Sequence, residues 1–392
     1  MTVEIPLPND PALPGLKFAV DGVRVRELAR RAGASDVERA QPVYIRWKPA
    51  TNALVLHRLT PRKDRVCSPF ALVRIDSDGK GRRNFLRTGR GAFDREAHAH
   101  LMLFPDDPKI LCLREVTSPA SIAKLLGSGL PFDPLRVRLR IVHYKPGRRA
   151  VVRCDVKGPH RESIIVYARG YATGKAKALE DLWRIGVQIL AASEVVSPIV
   201  LGRSNDILFT SHVAGRRPSV SDAAAIGTAL WRVHEVGSNG SERRLHLENL
   251  ASQARYLASL DPASAEEVTK LAPLIAERAA NWHFPTGWTH GDLDPTQILV
   301  SRRNIAFLDL DKSGMNHFAK DVARFLAFLR TRGELTWRRN FLASYGDISR
   351  GLGNLEAATL LDLAVNPFRH LKPLWPQQLR TILRSARRCL NA

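Results

Sequence analysis

The stretch His290-Gly291-Asp292-Leu293-Asp294-Pro295-Thr296-Gln297-Ile298-Leu299-Val300 decides how this chain is read. A second stretch, Ile305-Ala306-Phe307-Leu308-Asp309-Leu310-Asp311, follows a polar turn from Ser301 to Asn304. Each sets carboxylates beside apolar, strand-like runs, and the turn lets the chain fold back on itself. Such a hairpin brings Asp292, Gln297 and Asp309 to one mouth. One carboxylate there can take a hydroxyl proton, while an amide oxygen and a second carboxylate hold a hard cation such as Mg2+. The plainer alternative is a loop of polar residues that satisfy one another.

Together the two stretches resemble the aminoglycoside phosphotransferase and choline-kinase-like family, relatives of the protein kinases. Its signature is His-Gly-Asp, four residues, Asn or Gln, then a later Asp on a hydrophobic strand. With Gln297 at the amide position, the chain is similar to the maltokinase-like branch. The resemblance covers residues 135–330 well and the rest loosely. It implies an α+β, protein-kinase-like fold of two lobes, a β-rich N-lobe and a mostly helical C-lobe. It also implies an ATP-dependent O-phosphotransferase that moves the γ-phosphate to a hydroxyl of a small polar metabolite, a sugar or aminoglycoside-like compound. Asp292 would be the base, with His290 beside it anchoring the loop. Gln297 and Asp309, helped by Asp311, would hold Mg2+. Asp321 resembles the family's buried acid that steadies the catalytic loop.

Composition bounds this reading. The 392 residues suffice for two or three domains, and a hydrophobic fraction of 44% is ordinary for a globular protein. No run of about 20 apolar residues exists, so no membrane span is expected. Met1 to Pro14 lacks the basic-then-apolar pattern of a secretory signal. Cys67, Cys112, Cys154 and Cys389 form no CxxC pair, which fits a reducing cytoplasm without disulfides or zinc. The net charge of +22 is unusual. It admits a polyanion-binding protein as a rival, yet the basic residues are spread along the whole chain and no nucleic-acid-binding motif accompanies them.

An internal repeat organises the N-terminal half. Val43–Trp47, the turn Lys48-Pro49-Ala50-Thr51-Asn52, Ala53–His57 and Phe70–Ile75 read as three strands. The pattern returns as Arg140–Tyr144, the turn Lys145-Pro146-Gly147-Arg148-Arg149, Ala150–Cys154 and Ile164–Arg169. Arg74 matches Arg169, and Gly79-Lys80 matches Gly174-Lys175. The first copy lacks a following His-Gly-Asp. Residues 1–132 are therefore expected to form a non-catalytic cap, 133–215 the nucleotide-side N-lobe and 216–392 the helical C-lobe. The cap offers a homodimer surface or a substrate lid as alternatives, and the linker Gly127-Ser128-Gly129-Leu130-Pro131 marks its end.

Within the N-lobe, backbone N–H groups near Gly147 and the Lys145 side chain are expected over the phosphates. The family has Lys at the end of the third strand; this chain has Arg169, a forked and permanently charged group. A helix from about Lys175 to Leu190 offers Glu180 as its ion-pair partner, with Asp181 as the competing choice. Ser211 and Val213 fall where the family's hinge contacts adenine. The Lys-to-Arg departure supports a rival reading, a pseudokinase that binds nucleotide without turnover. Trp337, Tyr345, Phe368, His370 and Trp375 are candidates for stacking on an acceptor, although aromatics at helical spacing more often build a core.

Overall fold

Two five-stranded antiparallel sheets fill the N-terminal half of the chain, and their strand orders are the same. In the computed structural model the first sheet runs β1 (Val37–Lys48), β2 (Asn52–Pro61), β3 (Phe70–Asp76), β5 (Ala99–Leu103), β4 (Ala92–Asp94). The second runs β6 (Arg136–Lys145), β7 (Arg149–Lys157), β8 (Ser163–Tyr171), β10 (Ile207–Ser211), β9 (Val200–Ser204). Each is a three-strand meander whose fifth strand returns beside the third. A helix sits between strands three and four in both, Lys80–Thr88 in the first and Ala176–Ala192 in the second. Gly79 and Gly174, just before these helices, both take positive φ, at 68° and 77°. The structure describes residues 5–62, 68–127, 129–245, 247, 249–302, 304–346, 348 and 351–391. Cys67 and Ser128 lie outside them; Cys112, Cys154 and Cys389 are buried free thiols.

The cap is wedged between the lobes, because β2 is apolar on both faces. Side chains alternate across a strand. Ala53 and Val55 join a core with Leu257, Leu271, Phe368, Trp375 and Leu379 of the helical region. Leu56 faces the other way, into a core with Tyr144, Val152, Val166 and Phe209 of the second sheet. Trp47 stands against Tyr256 and Phe368, at ring-centroid distances of 5.8 and 6.3 Å. Its indole N–H donates to Asp10 at 2.8 Å, and Trp375 donates to the Pro6 carbonyl at 2.8 Å. This face of the cap is spent within the chain.

Behind the cap, the C-lobe gathers its own core around Trp183, Leu230, Trp288, Phe307, Phe325 and Phe341. Helices Ala223–Val236, Phe318–Thr331 and Thr336–Tyr345 frame it, while Leu250–Leu260, Ala265–Ala279, Leu352–Leu363 and Trp375–Leu390 belong mainly to the core shared with the first sheet. The hairpin of β13 (Ile298–Val300) and β14 (Ile305–Phe307) forms as the polar turn requires. A three-stranded sheet of β11 (Ser238–Arg244), β12 (His283–Thr289) and β15 (Gly314–His317) was not foreseen. Its segments are rich in Ser, Gly, Asn and Arg, which signal turns rather than strands. Trp337, Tyr345, Phe368 and Trp375 are core residues rather than acceptor platforms, and His370 meets Tyr44 of the cap edge-on at 6.1 Å. Among the described residues, no helix is long and apolar enough to cross a membrane.

Because Trp47 joins cap and helical region in one core, Trp47→Ala should cost about 3–5 kcal/mol. Denaturation followed by circular dichroism should show one transition shifted as a whole. A loss below about 1 kcal/mol, or a cap melting separately, would contradict the shared core.

Candidate active site

Asp321 builds the loop that presents Asp292. It lies fully buried at the start of the Phe318–Thr331 helix and accepts hydrogen bonds from the backbone N–H groups of His290 (2.7 Å) and Gly291 (2.8 Å). His234 faces the same carboxylate at 3.3 Å and is held by the Tyr345 hydroxyl at 2.7 Å. Burial opposes the Asp321 charge, but the His234 hydrogen bond, the nearby histidines and the Gly291 N–H outweigh it and keep its acidity below the ordinary range. Gly291 has φ 78°, and a Cβ there would meet the Lys312 carbonyl oxygen at 2.1 Å, so this turn tolerates no side chain. His290 is buried, with Nε2 2.7 Å from the Leu308 carbonyl and Nδ1 accepting from the Asp292 N–H at 3.4 Å. These partners make it a positioning residue that ties the loop to the strand end before Asp309.

Asp292 meets two cations, Lys312 at 2.9 Å and Arg324 at 3.0 Å. Burial works against its charge, yet Arg324 and Lys312 prevail and hold the carboxyl below the usual carboxylate range. The hairpin brings the Gln297 backbone beside the strand end before Asp309, since its backbone carbonyl accepts from the Leu308 N–H at 2.8 Å. Its amide nitrogen, however, points to the Thr296 hydroxyl at 3.5 Å. Asp294 is occupied locally, capping the short turn through the Thr296 N–H at 2.7 Å.

Two arginines from the second sheet dominate the other side. Arg149, at the start of β7, places its guanidinium fork on both oxygens of Asp309, with one contact at 2.6 Å, and also reaches Asp311. Arg169 of β8 pairs with Asp309 at 3.1 Å and lies over the Trp183 ring at 4.4 Å. The remaining Asp311 oxygen accepts from Tyr171 (2.8 Å) and the Trp183 indole (2.9 Å). Burial penalises Asp309, but the Arg149 hydrogen bonds and the charges of both arginines push its pKa far down. All four oxygens of Asp309 and Asp311 thus accept from protein donors. The expected Mg2+ ligands Gln297, Asp309 and Asp311 have suitable hard oxygens. As arranged they do not fit a divalent cation, because the two negative charges of Asp309 and Asp311 already face the two positive ones of Arg149 and Arg169.

Two expectations about the N-lobe need correction. Glu180 does not meet Arg169; it binds Arg184 and Arg203, both at 2.7 Å. The helix turns Trp183 toward Arg169 instead. The Gly147 turn is formed, with φ 66°, but its N–H donates to Asp107 of the cap at 2.7 Å rather than standing free over a phosphate. Asp107 also accepts from the Tyr144 hydroxyl at 2.8 Å, so the cap anchors this hairpin. Lys145 remains available to an anion. Burial, reinforced by the charges of Arg148, Lys312 and Arg149, pulls its ammonium down to about 8. Ser211 and Val213 line a cavity of about 290 Å³ together with Leu299, at the small end for ligand sites.

Sequence reasoning assigned no role to Lys312 or Arg324, and did not point to the contacts that Arg149, Trp183 and Asp107 make here. Lys312 directly follows the second acidic stretch, and Arg324 lies one turn after Asp321 on the same helix face, a spacing that could have flagged it. Arg149 and Asp309 are 160 residues apart and leave no local signal.

Residues 187–358 match the phosphotransferase enzyme family. A structure from Thermobifida fusca YX-ER1, assigned as a fructosamine-3-kinase, aligns with 70% of this chain and 100% of its own at 17% identity and a TM-score of 0.50. Amicoumacin kinase hAmiN, solved with AMP-PNP, Ca2+ and Ami, aligns over 71% of this chain and 94% of its own at 12% identity, also with a TM-score of 0.50. No curated protein matches the chain, and the maltokinase-like branch is not singled out. Residues 187–358 are thus similar to the phosphotransferase enzyme family, and the chain has a two-lobed protein-kinase-like fold.

Proposed function

We propose that the protein transfers the γ-phosphate of ATP to a hydroxyl of a small polar metabolite. The observation that carries this reading is Asp292. Its charged carboxylate is presented on a loop braced by Asp321, and Lys312 and Arg324 fix it in place. The adenine would lie against Ser211 and Val213, above Leu299, and the phosphate tail would run toward Lys145 and the Arg149–Arg169 pair. The acceptor hydroxyl would donate its hydrogen bond to Asp292. As the acceptor oxygen bonds to the γ-phosphorus, the β,γ-bridging oxygen leaves with its electron pair on ADP, and the hydroxyl proton passes to Asp292. A low-pKa carboxylate is a weak base, so its main contribution is orientation, with proton uptake late in a loose transition state. Lys145 and Lys312 supply positive charge where the transferred group passes.

A second reading, nucleotide binding without turnover, is favoured by one specific observation: Arg149 and Arg169 hold Asp309 and Asp311 closed.

ATP consumption over a panel of sugars, aminoglycosides and amino alcohols should reveal an acceptor. Asp292→Asn should lower its turnover roughly 10²–10⁴-fold with nucleotide affinity changed far less. Consumption unchanged in that variant would remove Asp292 from the reaction, and no consumption with any acceptor would favour the second reading. The Lys145 ammonium loses its proton as pH rises through about 8. A bound anion raises that value, so ATP affinity should weaken at pH values above it. Affinity that stays flat from about pH 7 to about pH 9.5 would show that Lys145 does not meet the phosphates.

A further inference from the structure

We propose that the Arg149–Arg169 guanidinium pair takes the place of a divalent cation, so that this cleft binds a nucleoside polyphosphate without metal. The inference rests on the nucleotide reading of the cleft but not on turnover.

A divalent cation in an acidic phosphate site has two tasks. It cancels the repulsion between carboxylates and phosphate oxygens, and it gives those oxygens a positive group to bind. Here the first task is already done. Arg149 bridges Asp309 and Asp311, while Arg169 adds a second contact to Asp309 at 3.1 Å. These contacts are shielded: the side chains of Arg149, Arg169, Asp309 and Asp311 are 20%, 10%, 15% and 14% exposed. A guanidinium carries five N–H donors in a fixed fork and suits both carboxylate and phosphate oxygens. Arg169 gives Asp309 its Nη1, one nitrogen of the fork. Lys145 adds a cation on the same side.

Metal entry would also be opposed by what it displaces. A cation on Asp309 has to expel Arg149, whose side chain is mostly buried and has both its acidic partners in this cluster. Arg169 is confined between Trp183 and Asp309 and would then face the incoming cation. Leaving a mostly buried guanidinium without its carboxylates is strongly unfavourable. Among the described residues, no group of three or more His, Cys, Asp or Glu side chains could hold a metal elsewhere.

The test is calorimetric binding of AMP-PNP to the full chain in excess EDTA and in excess Mg2+, beside electron paramagnetic resonance of Mn2+ with the same nucleotide. Wild type should bind with dissociation constants within about twofold in the two buffers and should immobilise no Mn2+ on the protein. Arg149→Gln, which uncovers Asp309 and Asp311, should immobilise Mn2+ and bind the nucleotide roughly tenfold more tightly with Mg2+ than with EDTA. Wild-type binding that is tenfold tighter with Mg2+, or protein-bound Mn2+ in wild type, would overturn the proposal and leave the nucleotide reading standing. No AMP-PNP binding in either buffer would overturn both. The wild-type measurements decide the matter even if Arg149→Gln does not fold.

Discussion

Asp309 and Asp311 put two carboxylates, separated by one residue, into a place largely closed to water. Charges removed from water carry a penalty of several kcal/mol each unless they are paired and hydrogen-bonded. Arg149, Arg169, Tyr171 and Trp183 provide that pairing, and all four come from the second sheet or its following helix. The cluster therefore does more than shape a site. It joins the N-lobe to the C-lobe through charge, across chain separations of 128 to 162 residues. The orientation of β7, β8 and the Ala176–Ala192 helix over the Asp309–Asp311 segment depends on this compensation.

The cap extends the same logic to the neighbouring turn of the β6–β7 hairpin. Asp107 takes the Gly147 N–H and the Tyr144 hydroxyl, which fixes the turn that precedes Arg149. Trp47 and β2 tie the cap to the helical region at the same time. A hairpin held at its turn by the cap on one side and by Asp309 on the other has little freedom to lift. In this chain the pre-organisation of the cleft comes from a sheet with the same strand order as the N-lobe itself, placed as a strut between the lobes.

Much of this was legible in the sequence. Alternation of apolar residues located the meanders of both sheets, and the similarity of their turns pointed to two related units before their strand orders were seen. The polar turn from Ser301 to Asn304 was enough to fold Gln297 and Asp309 toward each other. The gaps have physical causes. Glu180 and Trp183 are three residues apart on one helix, and which of them meets β8 depends on the rotational phase of the helix, set by packing. Glu180 found Arg203 of a neighbouring strand instead. Gly147 has the backbone of a phosphate-binding turn, but its N–H is satisfied by a residue of another unit. The partners of Arg149 lie far along the chain, beyond any spacing rule.

The central claim is that Arg149 and Asp309 stabilise each other in the folded chain. A double-mutant cycle with Arg149→Met and Asp309→Asn, read by chemical denaturation, tests it most directly. Mutual dependence predicts that the double variant loses less than the two single losses added together, by roughly 1–3 kcal/mol. Effects that add to within about 0.5 kcal/mol would show that the two side chains act independently and would contradict the account.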